Sequence, residues 1–400
     1  MLENIIGQKK TCEVLKQELQ AGRFPQAILF HGPRFSAKMS AALEVARILS
    51  CEDASAPWSC PCPSCRRQRL LTYPHTLLLG PRYFDLEIAS CADVLRRSRK
   101  RSAQYLYLRA VRKLTRRFDP LIWEGDEAKL GGLRPSLAEI EEQLDSLSPE
   151  EELPEDRSLE KRLDSIASVS RKLTELVSTE TIPIHHLRQV ASWLRLSDGG
   201  RRKVVILENA DRMYEASSAS LLKLLEEPPA STTLILTTTR RSSIAPTLLS
   251  RLRTYSFADR GEEETREVLA RVFQEERSQC ASLRDYFLNW RELDREQVRG
   301  LARKYAAGLL AREASPGEDA ELMEELGSLF GPKSGKGAAG AFFEELSLHF
   351  QSLLRQGTVG ASRLRRWNRL LHEHYGALER FNQNPSLVLE SLTLHLRTIR

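Results

Sequence analysis

Residues 203–253 constrain the fold of this chain more than any other stretch. They read KVVILENADRM, then SLLKLLEEPP, LILTTT and PTLLSRLR. Residues 204–207 are a short apolar run rich in β-branched side chains, closed by Glu208. That pattern predicts a buried strand with a carboxylate at its carboxyl end. In 217–227, Leu221, Leu222, Leu224 and Leu225 recur at helical spacing, and Pro228 and Pro229 must stop the helix. Residues 234–239 predict a second buried strand ending in hydroxyls. Residues 246–253 predict a short helix carrying Ser250 and Arg251. Strand, helix, strand and helix within so few residues imply parallel strands joined by right-handed crossovers. Ligands of such sheets bind beyond the carboxyl ends of the strands, where Glu208, Asn209 and Thr237, Thr238 and Thr239 would lie.

The run LLKLLEEPP, the TTT strand end and the Ser-Arg-x motif at Ser250-Arg251-Leu252 follow one another in a specific order. In that order and spacing they resemble the AAA+ clamp-loader family. The resemblance covers 1–85 and 180–260 closely and 260–400 loosely. It implies an α/β AAA+ core, a parallel sheet with flanking helices, over 1–258. That core would carry a zinc module near 51–65 and an insertion near 90–180. A small helical lid over 259–330 and an all-helical collar domain over 341–400 would follow.

A phosphate-binding loop belongs directly after a strand and before a helix, as G-x-x-x-x-G-K-S/T. Residues 27–30 predict that strand, and HGPRFSAKMSAALEVARILSC follows it. Gly32, Pro33 and Lys38 hold the expected places, but Ala37 replaces the second glycine and Met39 replaces the hydroxyl. The glycine lets backbone N–H groups approach the phosphates. The hydroxyl ligates Mg²⁺, for which a thioether is a poor partner. Lys38 alone still attracts an anion at a helix start, yet the loop reads as degenerate. The second half of the site agrees. Active members of the family carry Asp-Glu where this chain has Glu208-Asn209, and an asparagine is no general base. Gly32, Pro33, Lys38, Glu208, Asn209 and Thr238 are therefore expected to form a degenerate nucleotide site, in which ATP binding is not expected.

Cys51, Cys60, Cys62 and Cys65 form C-x8-C-x-C-x2-C. Four thiolates in one short loop suit a structural tetrahedral Zn²⁺ site closed to substrate; the alternative is four buried, reduced cysteines. The resembling subunits carry such a module at this place, with one more residue between the second and third cysteines. Cys12, Cys91 and Cys280 read as packing residues. The total of seven cysteines is odd, and no secretion signal opens the sequence, which argues against a disulfide framework. No apolar run has membrane-spanning length, so a cytoplasmic protein is expected. The net charge of +6 suits contact with nucleic acid without requiring it.

Tyr73-Pro74-His75 leads into the strand TLLL, and His75 reads as a turn or core histidine. Residues 96–117 hold ten Lys/Arg and no Asp/Glu, interleaved with Tyr105 and Tyr107. Such a run suits a phosphate backbone. A solvated helix face, or pairing with the acidic stretch 139–160, explains it equally. Residues 182–196 predict a helix, and Asp198-Gly199-Gly200 the turn after it. Residues 331–340, GPKSGKGAAG, read as a flexible tether. Asn384-Pro385 marks a helix start, followed by Leu387, Leu389, Leu392 and Leu396 as a candidate apolar stripe.

The resemblance implies a non-hydrolysing subunit of a hetero-pentameric loader. Its partners would be motor subunits, a clamp-opening subunit, the sliding clamp and primer-template DNA. Arg251, with Ser250, would serve in trans as an arginine finger at a neighbour's ATP site. Two other functions stay open from the sequence: an active ATP-hydrolysing motor subunit, and a zinc-containing nucleic-acid-binding protein with a vestigial AAA+ fold.

Overall fold

A computed structural model describes residues 1–125, 127–177, 181–196, 200–276, 280, 282–288, 295–310, 316–329, 335–380 and 383–398. The chain divides into two compact units, Met1–Phe287 and Leu288–Arg400.

In the first unit five parallel strands form one sheet. They are β1 (Ala27–His31), β2 (Thr76–Leu79), β3 (Lys203–Leu207), β4 (Thr232–Thr238) and β5 (Arg253–Ser256). Their order across the sheet is β2-β3-β4-β1-β5. Leu29 lies opposite Leu236, and Val205 opposite Leu234. The three central strands are buried on both faces, so they read as continuous apolar runs instead of alternating ones. One face, with Leu29, Val205, Leu234 and Leu236, packs on α8 (Ile184–Arg195) and α9 (Glu215–Glu226). The other, with Ile28, Phe30, Ile206 and Ile235, packs on the alanine-rich α2 (Lys38–Leu49) and on Leu15 of α1 (Lys9–Gln20). Helix α1 starts only after Gly7, whose φ of 75° breaks the helical backbone and whose Cα lies close to Glu264. Of the turn expected at 198–200, the first two residues lie outside the described ones, and Gly200 has φ 80°.

Residues 84–176 are largely helical: α4 (Phe84–Ser98), α5 (Arg101–Thr115), α6 (Glu127–Asp145) and α7 (Asp156–Leu176), after α3 (Pro63–Leu70). The basic run occupies the end of α4 and all of α5, and the acidic stretch answers it. Arg96 pairs with Glu160 at 2.8 Å, and Arg99 with Asp156 at 2.6 Å. Arg112 reaches Glu141 at 3.1 Å and Asp145 at 3.2 Å. Tyr107 is fully buried. Pairing with 139–160, one of the three readings open for this run, thus holds for Arg96, Arg99 and Arg112, while Lys113 and Arg117 turn to other carboxylates. Helices α10 (Pro246–Leu249), α11 (Glu262–Arg271) and α12 (Leu283–Leu288) complete this part of the chain.

The second unit holds α13 (Arg295–Leu310), α14 (Pro316–Leu329), α15 (Gly335–Arg355), α16 (Ala361–Arg380) and α17 (Pro385–Thr398). They share one core that includes Leu301, Tyr305, Phe342, Phe350, Trp367 and Leu392. Helix α13, which the sequence places with the lid, belongs to this core. The tether reading of 331–340 is corrected in part: 335–340 form the first turns of α15, and 331–334 lie outside the described residues. Alanines at 338, 339 and 341 outweigh the glycines once the helix packs, and Ala339 and Ala341 are buried. Asn384 Oδ1 accepts from the Ser386 N–H at 2.9 Å and caps α17. The stripe on α17 is also corrected. Val388, Leu389, Leu392 and Leu396 are buried, whereas Leu387 is 63% exposed, because residues two apart on a helix point roughly 200° apart. Among the described residues no helix is long and apolar enough to cross a membrane.

Candidate functional site

Parallel strands bring the ends of β1, β3 and β4 to one edge, with His31 level with Thr238. All six residues expected of a nucleotide site gather there. Gly32 follows β1 with φ 151°, and its N–H donates to the Thr238 carbonyl at 3.3 Å. A Cβ at this position would lie 2.2 Å from the Phe257 carbonyl oxygen, so only glycine fits. The loop then turns through Phe35 (φ 59°) and Ala37 (φ 71°) into α2. Ala37 thus keeps the left-handed conformation of the glycine it replaces, at a cost of roughly 1 kcal/mol.

The loop wraps around its own lysine. Lys38 Nζ donates to the Gly32 carbonyl at 2.7 Å, to the Pro33 carbonyl, and to Ser36 Oγ at 3.2 Å. Burial pulls the Lys38 ammonium down to about 8, against the opposing pull of Glu208 and Asp211. Met39, where a Mg²⁺-binding hydroxyl would stand, is 6% exposed and packs in the core. Phe35 stacks on Phe287 of α12 at 4.9 Å and meets Tyr83 edge-on at 5.0 Å. Arg260 Nη1 donates to the Phe35 carbonyl.

Glu208, just beyond β3, is 5% exposed. Arg82 Nη1 binds its Oε1, and Arg117 Nη2 its Oε2 at 2.9 Å. Arg82 Nε also pairs with Glu87 at 2.5 Å, and Lys113 with the other oxygen of Glu87. Burial would raise the Glu87 carboxyl, but Arg82 and Lys113 outweigh it and hold the group at about 2. Arg117 donates Nε–H to the Gly80 carbonyl at 3.0 Å, and burial lowers its guanidinium to about 10. Three cations therefore surround two carboxylates where a hydrated Mg²⁺ would need free carboxylate oxygens. Asn209, in the left-handed region (φ 53°), spends its amide on the Pro81 carbonyl at 2.7 Å. Thr238 Oγ1 donates to Asp211 Oδ1 at 2.7 Å and accepts from the Arg240 N–H at 2.9 Å.

Sequence reasoning missed Arg82, Glu87, Lys113 and Arg117. Arg82 sits just past Gly80-Pro81 at the end of β2, so the sheet topology alone points to the same edge. Lys113 and Arg117 are members of the basic run, and nothing in their spacing separates them from its exposed members.

Arg251 lies elsewhere. It follows α10 and precedes β5, at the amino ends of the strands. Arg253 is level with Ile28, three residues or about 10 Å before the end of β1, and Arg251 comes earlier still. Its side chain is 36% exposed, and Nη2 pairs with Glu226 Oε1 at 2.7 Å. Ser250 Oγ donates to the Thr247 carbonyl at 3.0 Å. Arg253 pairs with Glu18 at 3.0 Å.

The sulfur atoms of Cys51, Cys60, Cys62 and Cys65 lie within 4.8 Å of one another. A tetrahedral Zn²⁺ with Zn–S of about 2.3 Å needs sulfurs about 3.8 Å apart, and Cys51 and Cys60 stand at 3.6 Å. The shortened spacing does not split the set, because Cys62 caps α3 and accepts from the Cys65 N–H at 3.4 Å. Arg47 Nη1 donates to Cys65 Sγ at 3.0 Å and is itself tied to Glu44 at 2.7 Å. Donors of this kind orient and stabilise thiolate ligands. The four cysteines thus fit a closed structural metal site. Cys91 is buried, as is His75, whose carbonyl accepts from the Val204 N–H at 2.8 Å.

A five-stranded parallel sheet flanked by helices, with a phosphate-type loop after β1 and an acidic residue after β3, defines an AAA+-like α/β protein. A family profile described as "DNA polymerase III, delta subunit" matches residues 7–107 and 150–260. The chain belongs to this family of clamp-loader subunits. Residues 108–149, which carry Lys113 and Arg117, fall outside the match. Among solved structures, the chain is similar to a DNA polymerase III gamma subunit-related protein from Thermotoga maritima. Identity there is 19%, over 58% of this chain and 90% of that one, with a TM-score of 0.26. No match is found among curated proteins.

Proposed function

We propose that this chain is a delta-prime-like, non-hydrolysing clamp-loader subunit that lends Arg251 to the ATP site of a neighbour. The observation that carries the first half is Glu208. Its two oxygens are taken by Arg82 and Arg117, so this carboxylate is engaged where Mg²⁺ would need it free. The Lys38 ammonium faces backbone carbonyls of its own loop. An ATP-hydrolysing motor subunit would need both groups free.

The second half rests on geometry and resemblance together. Arg251 stands at the edge of the sheet away from its own phosphate-type loop, so a phosphate that it touches belongs to another chain. There an arginine stabilises charge as the γ-phosphoryl bond breaks. The partners of such a subunit are motor subunits and a clamp-opening subunit in a five-membered ring, which loads the sliding clamp on primer-template DNA in the cytoplasm. The lid and collar divisions belong to the same reading, as does a Zn²⁺ held by the four cysteines. The rival reading as a nucleic-acid-binding protein drew on the basic run, whose arginines at 96, 99 and 112 are paired with carboxylates.

The test is ATP turnover and clamp loading by the reconstituted loader. Arg251→Ala leaves the ring assembled and lowers turnover at one site by about 10³ or more. The bulk rate then falls partially and clamp loading falls further. Arg253→Ala, which loses a surface pair with Glu18 and a contact with the Tyr255 ring, is mild. Equal effects from the two substitutions would remove the trans-arginine role. ATP turnover by the isolated chain would remove the non-hydrolysing one.

A further inference from the structure

The Arg251 guanidinium is held on two sides. Nη1 donates to the Thr247 carbonyl at 2.9 Å and to Ser250 Oγ at 3.2 Å. Nη2 donates to Glu226 Oε1 at 2.7 Å. A guanidinium has five N–H donors in a rigid plane. Three are used here, and Nε–H and one Nη2–H have no partner among the described residues. Those two donors suit two oxygens of one phosphate group.

Both partners of the pair rest on fixed ground. Glu226 is the last residue of α9, and Leu221, Leu224 and Leu225 bury that helix against the sheet. Arg251 is flanked by Leu248 and Leu252, buried in the same cluster. An exposed arginine without such a brace samples many rotamers, and most of them point its fork away from any one phosphate. The Thr247 and Ser250 contacts alone come from the turn that carries Arg251, so they move with it. Among the described residues, only Glu226 ties the fork to a separate, packed element.

We propose that Glu226 is a positioning residue for Arg251, holding the guanidinium in the orientation in which it meets the phosphates of the neighbouring subunit. The proposal rests on the trans-arginine reading and extends it to a residue of α9. Glu226 touches no phosphate; it acts only through Arg251. Two consequences follow. Loss of the carboxylate lowers the rate of hydrolysis and not the affinity for ATP. Loss of the carboxylate has no effect once Arg251 is gone.

The experiment uses the full chain in a loader whose other ATP sites are inactivated, so that turnover reports the site beside Arg251. Ring assembly, kcat and KM for ATP are measured for Glu226→Ala, Glu226→Gln, Arg251→Ala and the double variant Glu226→Ala/Arg251→Ala. Glu226→Ala is expected to lower kcat about tenfold, well short of the loss from Arg251→Ala, with KM and assembly unchanged. Glu226→Gln keeps an oxygen that accepts from Nη2–H and restores most of the rate. The double variant is no slower than Arg251→Ala. The proposal is overturned if Glu226→Ala turns over at the wild-type rate while Arg251→Ala is slow. It is equally overturned if Glu226→Ala slows the Arg251→Ala protein by the same factor as it slows the wild type. A wild-type rate for Arg251→Ala itself overturns the trans-arginine reading and this proposal with it.

Discussion

Replacing Glu208 by Gln tests whether an acid of the nucleotide-type site has become part of the frame. In a subunit that uses the residue for Mg²⁺, the amide costs activity and little stability. Here the carboxylate neutralises two buried guanidinium groups, and its side chain is 7% exposed. Removing one partner of a buried ion pair typically costs about 3–5 kcal/mol, because the remaining charge is left without compensation. For a unit of this size each kcal/mol shifts Tm by roughly 2–4 °C, so Glu208→Gln should lower Tm by about 6–20 °C. Arg117→Met should fall in the same range, since it leaves Glu208 with Arg82 alone and the Gly80 carbonyl without its donor. The double variant Glu208→Gln/Arg117→Met should then be more stable than the sum of the single losses, with a coupling of about 1–3 kcal/mol. Thermal and urea unfolding of the four proteins at pH 7 measure it. A Glu208→Gln protein as stable as wild type, or a double variant whose losses simply add, would refute the argument that this pair is an internal substitute for a cation.

The remaining expectations are simpler to check. Protein purified under reducing conditions should contain one Zn²⁺ per chain, and Cys62→Ser should release it and loosen 51–65 to proteolysis; metal analysis that finds none would remove the metal site. Lys38→Ala should leave ATP turnover by the assembled loader nearly unchanged, since Lys38 already spends its ammonium on Gly32, Pro33 and Ser36. A large drop with assembly intact would show that the loop still works. Glu87, held at about 2 against an ordinary 4.5, contributes stability that is fully present above 4.5 and is lost as pH falls towards 2. Glu87→Gln should therefore lower Tm at pH 7 and flatten the further loss between pH 4.5 and 2, as followed by thermal scans across that range.

Much of the core was legible because its strands are short apolar runs closed by marked residues. The runs ending at Glu208 and Thr238 gave two strands and their direction, and Pro228-Pro229 gave the end of α9. The cysteine cluster was legible because thiols so close in sequence have few other uses. What surrounds Glu208 was not, since ion pairs carry no period. Arg117 meets Glu208 across 91 residues of chain, and its neighbour Arg116 differs from it only in which way the turn after α5 points it. Glycine content misled at 335–340, where tertiary packing overrides a weak local preference. The α17 stripe failed for a geometric reason, as Leu387 and Leu389 cannot share a helical face.

On the proposed non-hydrolysing reading, the guanidinium of Arg117 bears on how reversible the changes at this site are. Ala37, Met39 and Asn209 are three of the local departures from the family's pattern, Glu208 in place of an aspartate being a fourth, and each is one substitution from repair. Arg117 belongs to a stretch that the family profile does not cover, and the same turn carries Arg116, which holds the Thr76 carbonyl at 2.9 Å. Writing Gly, Thr and Glu back into the three motif positions would leave the guanidinium in place. Withdrawing it would strip a donor from the end of β2 and uncover a buried carboxylate. On that reading, the way back to a nucleotide site therefore passes through a destabilised protein.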